Sequence, residues 1–182
     1  MNVAPLGREA TLEDLHRADQ KSELVGGKLL LMTPAGDLHG TATVNIVVSL
    51  KQHQRARGGG RVYGDNVGFV VDARRTFSPD AAWHTGPRTR ERLLDGAPVF
   101  AVEVRSQEDY GPAAERRLAA KRADYFAAGT RVGWDVDVLR EELVRVYRCD
   151  DPHRLSIYRR GEIADAEPAV AGWRMPVDEL FD

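Results

Sequence analysis

One stretch of the sequence decides the fold: Val99-Phe100-Ala101-Val102-Glu103-Val104-Arg105. The run is almost continuously apolar and rich in valine, which is typical of a strand in the interior of a sheet. Because side chains alternate along a strand, Glu103 and Arg105 share one face with the other odd-numbered residues. A carboxylate in such a strand has to pair with a cation, bind a metal ion or lie at the rim of the sheet. A rim salt bridge between Glu103 and Arg105 is therefore the alternative to a functional role.

The next segment predicts a helix that carries a lysine on its inner face. Pro112 suits the first helical position, and Gly129 suits the position just beyond the end. At about 100° per residue, one narrow stripe of this helix holds Ala114, Leu118, Lys121, Tyr125 and Ala128. Lys121 lies near the centre of the stripe. Its ammonium group must therefore either extend past the apolar surface to solvent or meet a carboxylate.

A third polar residue precedes a strand predicted upstream. Ser78-Pro79-Asp80 leads into a short apolar run at residues 81–83, and by itself this pattern is typical of a turn whose aspartate bonds local amides. In combination with Glu103 and Lys121 it indicates chemistry. Two carboxylates can hold a hydrated Mg²⁺ ion, which polarises a phosphodiester and acidifies a bound water, while an ammonium group stabilises the charge of the transition state. We therefore predict a catalytic site of Asp80, Glu103 and Lys121, with the metal on the two acids.

The remaining patterns alternate between strands and helices, which predicts a mixed α/β domain. We expect one domain over residues 1–182, with residues 1–20 as an N-terminal helical extension. The predicted elements are a helix at 11–20, a hairpin of 22–25 and 28–32, a helix at 39–55, strands at 61–63, 67–72 and 131–138, and a second hairpin of 143–148 and 155–159. Residues 74–77 and 85–96 are interpreted as connections, and the tail after Trp173 as a docked segment without a clear period.

Composition limits the class of protein. The chain has 182 residues, 42% of them apolar and 30% charged, which allows a substantial core and excludes collagen-like, coiled-coil and disordered proteins. A single cysteine, Cys149, excludes an internal disulfide and a thiolate zinc site. No apolar run can span a bilayer and no signal-peptide pattern is present, so we expect a cytoplasmic protein. The net charge of −2 creates no global positive field, and only four of the 26 basic residues are lysines.

Several short motifs resemble, in order and spacing, those of a known family. The motifs are Glu23-Leu24-Val25-Gly26-Gly27-Lys28-Leu29, His39-Gly40, Gly60-Arg61-Val62-Tyr63-Gly64, Ser78-Pro79-Asp80, Val102-Glu103-Val104-Arg105-Ser106, Lys121 with Tyr125 and Gly129, and Trp134-Asp135-Val136-Asp137. Pro79-Asp80 followed by Glu103 is similar to the acidic part of the PD-(D/E)XK nuclease signature. From about Thr11 to Phe181, the chain resembles the Uma-two (Uma-type) family of restriction-endonuclease-like proteins, which are common in bacteria.

This resemblance implies a restriction endonuclease-like α/β fold, in which helices flank a central mixed β-sheet, with added β-hairpins. It implies that Asp80 and Glu103 are the metal carboxylates. It also implies that the lysine has moved from the strand to the following helix, where Lys121 matches. Arg105 stands in the place of the strand lysine, but a guanidinium group stays protonated, so we interpret Arg105 as a phosphate contact at most.

Two further positions match the family and are accessory candidates. Glu23 would be another acid near the site, although Ser22 stands where the family usually has an aromatic residue. A solvent-facing position of Glu23 on the hairpin is the alternative. His39 resembles a recurrent position at the start of the first long helix, where a structural role at the helix terminus is the alternative.

The sequence leaves three functions open. The first is a magnesium-dependent DNA endonuclease, for which a homodimer would suit the cleavage of both strands. The second is a non-catalytic nucleic-acid-binding or partner-binding protein on the same fold. A local basic surface for this purpose could come from Arg55, Arg57, Arg61, Arg74, Arg75, Arg88, Arg90 and Arg92. The third is an unrelated structural α/β protein, in which Asp80 and Lys121 would lie far apart.

Overall fold

The structure is a computed structural model that describes residues 2–182. The α-helices of this part of the chain are α1 (Leu12–Arg17), α2 (Asp37–Arg57) and α3 (Pro112–Ala127), and a 3₁₀ turn follows at Val177–Leu180. The strands are β1 (Asn2–Val3), β2 (Ser22–Val25), β3 (Lys28–Leu31), β4 (Arg61–Gly64), β5 (Phe69–Asp72), β6 (Arg75–Phe77), β7 (Ala81–His84), β8 (Leu94–Asp95), β9 (Phe100–Val104), β10 (Val132–Asp137), β11 (Leu143–Arg148), β12 (Asp151–Arg159), β13 (Ile163–Asp165) and β14 (Arg174–Pro176). None of these helices has the length and apolarity needed to cross a membrane.

The strands form two six-stranded sheets and a two-stranded one. In the central sheet the order is β12-β11-β10-β9-β7-β4, with β9 and β10 parallel and the other neighbours antiparallel. In the second sheet the order is β1-β3-β2-β6-β5-β8, and β2 with β3 forms the predicted first hairpin. β13 pairs with β14 in the tail. The predicted mixed α/β class with added hairpins is therefore confirmed.

The main core lies between the central sheet, α2 and the C-terminal tail. Phe100, Val102 and Val104 of β9 are fully or almost fully buried in it, and the rings of Trp134 and Trp173 pack with centroids 4.9 Å apart. Burial of each such side chain contributes about 1.5–3 kcal/mol. The odd-numbered side chains of β9 face α3 on the other side of the sheet. The alternation predicted for this strand is thus observed.

Several predicted boundaries are wrong, and each error concerns a short or terminal piece of an element. α1 ends at Arg17 rather than near residue 20, because Ala18 already has extended backbone angles (φ −66°, ψ 129°). Residues 75–77 and 94–95, interpreted as connections, form β6 and β8, which are too short to show an alternation of their own. The strands predicted at 61–63 and 67–72 are observed as β4 and as the shorter β5, and they belong to different sheets. Tertiary pairing, rather than local pattern, sets these elements.

Candidate active site

A cleft of about 750 Å³ is lined by Asp80, Glu103 and Lys121 and by two of the accessory candidates, His39 and Arg105. Asp80 precedes β7 and Glu103 lies in β9, which is the antiparallel neighbour of β7. The backbone N–H of Asp80 donates to the carbonyl of Val102 at 3.0 Å, and Asp80 Oδ2 accepts from the backbone N–H of Val104 at 2.8 Å. Strand pairing itself therefore places Asp80 beside Glu103. Lys121 reaches the same cleft from α3.

Asp80 is a buried carboxylate held by cationic groups. It is 5% exposed. Lys21 Nζ lies 3.3 Å from its Oδ1, and His39 Nε2 lies 3.3 Å from its Oδ2. Burial opposes the negative charge, but the His39 contact, the Lys21 ammonium and the Val104 N–H outweigh it and lower the pKa of Asp80. The group is therefore ionised and able to act as an oxygen ligand.

Glu103 is the second carboxylate, and its environment differs from that of Asp80. Its Oε2 accepts from Lys121 Nζ at 2.9 Å, and its Oε1 accepts from the Tyr125 hydroxyl at 2.7 Å. Burial raises the pKa of Glu103 to about 7; Asp80 and Glu23 add to this effect, and the Lys121 ammonium opposes it. Burial is therefore the main reason why Glu103 binds a proton more readily than an ordinary glutamate does, whereas the pKa of Asp80 is lowered.

Lys121 bridges Glu103 to a third acid, Glu23. Its Nζ lies 3.1 Å from Glu23 Oε1, which also accepts the backbone N–H of Ser78 at 2.7 Å. Burial disfavours the ammonium, but Glu103 and Glu23 outweigh it and raise the pKa of Lys121 well above its ordinary value. Glu23 is only 1% exposed, so the alternative of a solvent-facing position on the hairpin is wrong. β2 lies inside the second sheet between β3 and β6, which turns this side chain inward.

His39 lies in the first turn of α2 and points into the cleft. Besides its contact with Asp80, its Nδ1 atom is buried and has no hydrogen-bond partner among residues 2–182. Asp80 outweighs the effect of burial and raises the pKa of His39. His39 therefore belongs to the charged environment of Asp80, in addition to its place at the helix terminus.

Arg105 is a structural residue in this geometry. It is 3% exposed. Its guanidinium makes a bidentate pair with Asp135, at 2.6 and 2.7 Å, a second pair with Glu115, at 2.5 and 3.1 Å, and a bond to the carbonyl of Asp109 at 3.3 Å. These five contacts use all five N–H donors of an arginine. The rim salt bridge with Glu103 is not formed, and all five donors are already used within the protein, whereas the sequence interpretation allowed a phosphate contact at most.

The sequence interpretation missed Lys21. This residue precedes β2 and bonds both Asp65, which follows β4, and Asp80. Burial lowers its affinity for a proton, but Asp80 and Asp65 outweigh this effect and raise the pKa of Lys21. One signal was available, because Lys21 is one of only four lysines in an arginine-rich chain. Two of those four, Lys21 and Lys121, line the cleft.

The chemistry of the donors fits a divalent ion that keeps much of its water. Among the described residues, no group of three or more His, Cys, Asp and Glu side chains is placed to hold a metal ion. Asp80 and Glu103 offer hard oxygen donors, and Mg²⁺ commonly binds through one or two carboxylates while retaining several waters. Asp80, Glu103 and Glu23 lie close together, and Lys21, Lys121 and His39 are the cationic groups in contact with them.

Comparisons with known proteins agree with this geometry. The model of the Uma2 family, described as "Putative restriction endonuclease", matches residues 10–178. No curated protein matches the chain. The fold is similar to the crystal structure of "a putative nuclease belonging to DUF820 from Anabaena variabilis ATCC 29413", with a TM-score of 0.76 and 17% identity over 94% of this chain and 97% of that one. The similarity confirms the predicted restriction endonuclease-like fold.

Proposed function

Because the chain belongs to the Uma2 family, we propose that it is an endonuclease that hydrolyses phosphodiester bonds of DNA with a divalent metal ion, magnesium. The observation that carries the proposal is the convergence of Asp80, Glu103 and Lys121 on one cleft. They come from three separate elements, and a purely structural ion pair would need only two of them. The third function left open by the sequence required Asp80 and Lys121 to lie far apart, and it loses its support.

Asp80 and Glu103 would hold the ion. When bound, the ion would polarise the phosphodiester and lower the pKa of a water molecule in the cleft. Asp80 is fixed for this task by the N–H of Val104, and Glu103 is fixed by the Tyr125 hydroxyl. These bonds limit the freedom of the two carboxylates, so little ordering is required when ligands arrive.

Lys121 would act as a cation rather than as a proton acceptor. Two carboxylates lie within 3.1 Å of its Nζ, which favours the charged form. An ammonium group in this place can orient the attacking water and donate to the phosphate oxygens as their negative charge grows. Glu23 would be a positioning residue, because it contacts Lys121 and also accepts the N–H of Ser78 in the turn that leads to Asp80.

The test is cleavage of a supercoiled plasmid with and without Mg²⁺ by wild type, Asp80→Asn and Lys121→Met. Matched controls are Asp150→Asn and Lys28→Met, which change exposed residues without side-chain partners among the described residues. We expect cleavage by wild type and both controls, and loss of at least about 10²-fold in the two site variants. Equal cleavage by all five proteins, or none by wild type, would overturn the proposal.

One observation favours the second function, a non-catalytic binding protein. All four carboxylate oxygens of Asp80 and Glu103 already have a hydrogen-bonding or charged partner within the protein. If the network is only structural, calorimetric titration with Mg²⁺ should give no binding to wild type. We expect binding to wild type that is lost in Asp80→Asn and retained in Asp150→Asn.

We also propose that the active form is a homodimer, because two-fold symmetry presents one cleft to each strand of a duplex. Light scattering coupled to gel filtration measures the mass directly. A mass of 20.2 kDa at working concentrations, together with cleavage of both strands, would contradict this part of the proposal.

A further inference from the structure

The cleft alone is a poor attractor for a polyanion. Of the described residues that line it, seven are Asp or Glu and four are Lys or Arg. The formal charge of this set is −3 with His39 neutral, so one bound divalent ion and a protonated His39 together would bring it to zero and not to a positive value. Association with nucleic acid depends on the neutralisation of phosphates by cations. If the substrate is DNA, as proposed above, the attraction must come from another surface.

Six arginines lie at the end of α2, at the start of β4 and in the loop that follows β7. We name this set the arginine surface: Arg55, Arg57, Arg61, Arg88, Arg90 and Arg92. Three residues separate the end of α2 from the start of β4, and in the pairing of β4 with β7 Arg61 lies opposite His84. Residues 85–93 form the loop that follows β7. Arg61 donates to the carbonyl of Gly86, near the beginning of this loop. The end of α2, the start of β4 and the beginning of this loop therefore adjoin, while Arg92, near the end of the loop, bonds the carbonyl of His16 in α1.

The positive charge of the arginine surface is not neutralised within the described part of the chain. None of the six guanidinium groups has a carboxylate partner there. Arg61 and Arg92 bond neutral acceptors, a tyrosine hydroxyl and backbone carbonyls. With Glu91 of the same loop included, the set carries a formal charge of +5 in a chain of net charge −2.

Arg74 and Arg75, which the sequence analysis grouped with these six, do not belong to the surface. Arg74 lies 2.6 Å from Glu9, and Arg75 lies 2.7 Å from Asp72 and 3.5 Å from Asp124. Their charges are balanced by these partners. The structure thus divides the eight arginines into a paired group and an unpaired one.

We infer that the arginine surface is a second contact for the sugar-phosphate backbone of duplex DNA, separate from the cleft. The cleft lies at the opposite ends of the same two strands, since Asp65 follows β4 and Asp80 precedes β7. Four residues of strand separate the two regions by about 13 Å. A duplex carries about one charge per 1.7 Å of its axis, so DNA that enters the cleft extends over several more phosphates in reach of these arginines. The contact would favour long substrates and carry no base readout.

The experiment measures binding of a labelled duplex of about 30 base pairs in EDTA as a function of salt. The test variant is Arg57→Gln, Arg88→Gln and Arg90→Gln combined. All three side chains are exposed, and none bonds another residue of the described chain. The control combines Arg154→Gln, Arg159→Gln and Arg174→Gln, which remove the same charge from β12, at the other edge of the central sheet, and from β14.

Three lost phosphate contacts should reduce the slope of log affinity against log salt by about 2.7. Between 50 and 200 mM salt, the affinity of wild type should then fall about 40-fold more than that of the test variant. The control should keep the wild-type slope. A variant that combines Arg57→Lys, Arg88→Lys and Arg90→Lys should also have the wild-type slope, because a phosphate contact requires only a positive charge. Equal slopes in wild type and test variant, an equal loss in test and control, or no binding by wild type would overturn the inference. Plasmid cleavage is scored separately, so failure of the nuclease proposal would be recognised independently.

Discussion

Replacement of Arg105 by methionine should strongly destabilise the protein, because this guanidinium is fully committed to structure. The substitution keeps an apolar stem of similar length but removes five hydrogen bonds. Asp135, which is 7% exposed, would retain only a 4.0 Å contact with Arg145. Removal of one partner of a buried ion pair costs about 3–5 kcal/mol. Glu115 is half exposed, so the loss of its pair adds less than about 1 kcal/mol.

The size of the effect makes the assay straightforward. For a chain of this length, each kcal/mol lowers the melting temperature by about 2–4 °C, so we expect a decrease of about 10 °C, measured by circular dichroism and by urea unfolding. Arg116→Met is the control, because Arg116 is an exposed arginine of α3 without an ion-pair partner in the described chain. It should change the free energy of unfolding by less than about 0.5 kcal/mol.

The opposite result would assign Arg105 to the substrate. Arg105→Met could instead keep the melting temperature of wild type while its slope of log affinity for DNA against log salt falls by about 1. The residue would then be a phosphate contact, and the reasoning from its five bonds would be refuted. Arg105→Lys provides a further comparison. It keeps the charge but offers three donors instead of a planar fork, so we expect an intermediate stability.

The remaining predictions concern stability. Gly133→Ala should raise the free energy of unfolding by about 0.4–1 kcal/mol. Its Cβ would face a void of about 30 Å³ and lie 4.0 Å from the nearest heavy atom, so there is room for it. Gly60→Ala should lower the free energy of unfolding by about 1–3 kcal/mol or more, because its Cβ would overlap Nε1 of the buried Trp83. Urea unfolding measures the change in both variants. A change of the same sign in both would contradict this description of the packing. Asp137 is buried, but the Tyr110 hydroxyl at 2.7 Å and backbone N–H groups lower the pKa of Asp137. A carboxyl with a depressed pKa stabilises the fold above its unfolded value of about 3.9 and loses this contribution as the pH falls below it. The loss of unfolding free energy in Tyr110→Phe should therefore be largest at neutral pH and shrink on acidification, and a pH-independent difference would contradict this.

The central part of the site could be predicted from the sequence because it depends on local periodicity. A two-residue period places Glu103 on the face of β9 opposite the main core, and a helical period places Lys121 on the stripe that packs against this face. Both periods are regular within β9 and α3, and in a regular element the period indicates on which face a residue lies. Asp80 follows from the Pro-Asp step before β7, since its backbone bond to Val102 starts the strand pairing.

The remainder of the site depends on contacts between distant segments. Whether Glu23 faces solvent or the interior is decided by β6, a three-residue strand without a pattern of its own. Lys21 meets Asp65 and Asp80 across 44 and 59 residues of chain. For Arg105, the sequence indicated a phosphate contact at most, whereas the neighbouring strand supplies Asp135 opposite Glu103. These contacts join segments that are far apart in the chain. The spacing of residues in a single sequence therefore does not predict them.

The chain of contacts from Ser78 through Glu23 and Lys121 to Glu103 joins the two six-stranded sheets and α3. A lineage that lost Lys121 alone would keep two interior acids without this counter-charge, and the free energy of unfolding would fall. Drift toward an inert scaffold would therefore require several replacements at once. In this chain, the stability of the fold would therefore oppose the loss of Lys121 or of either acid, whatever activity these side chains have.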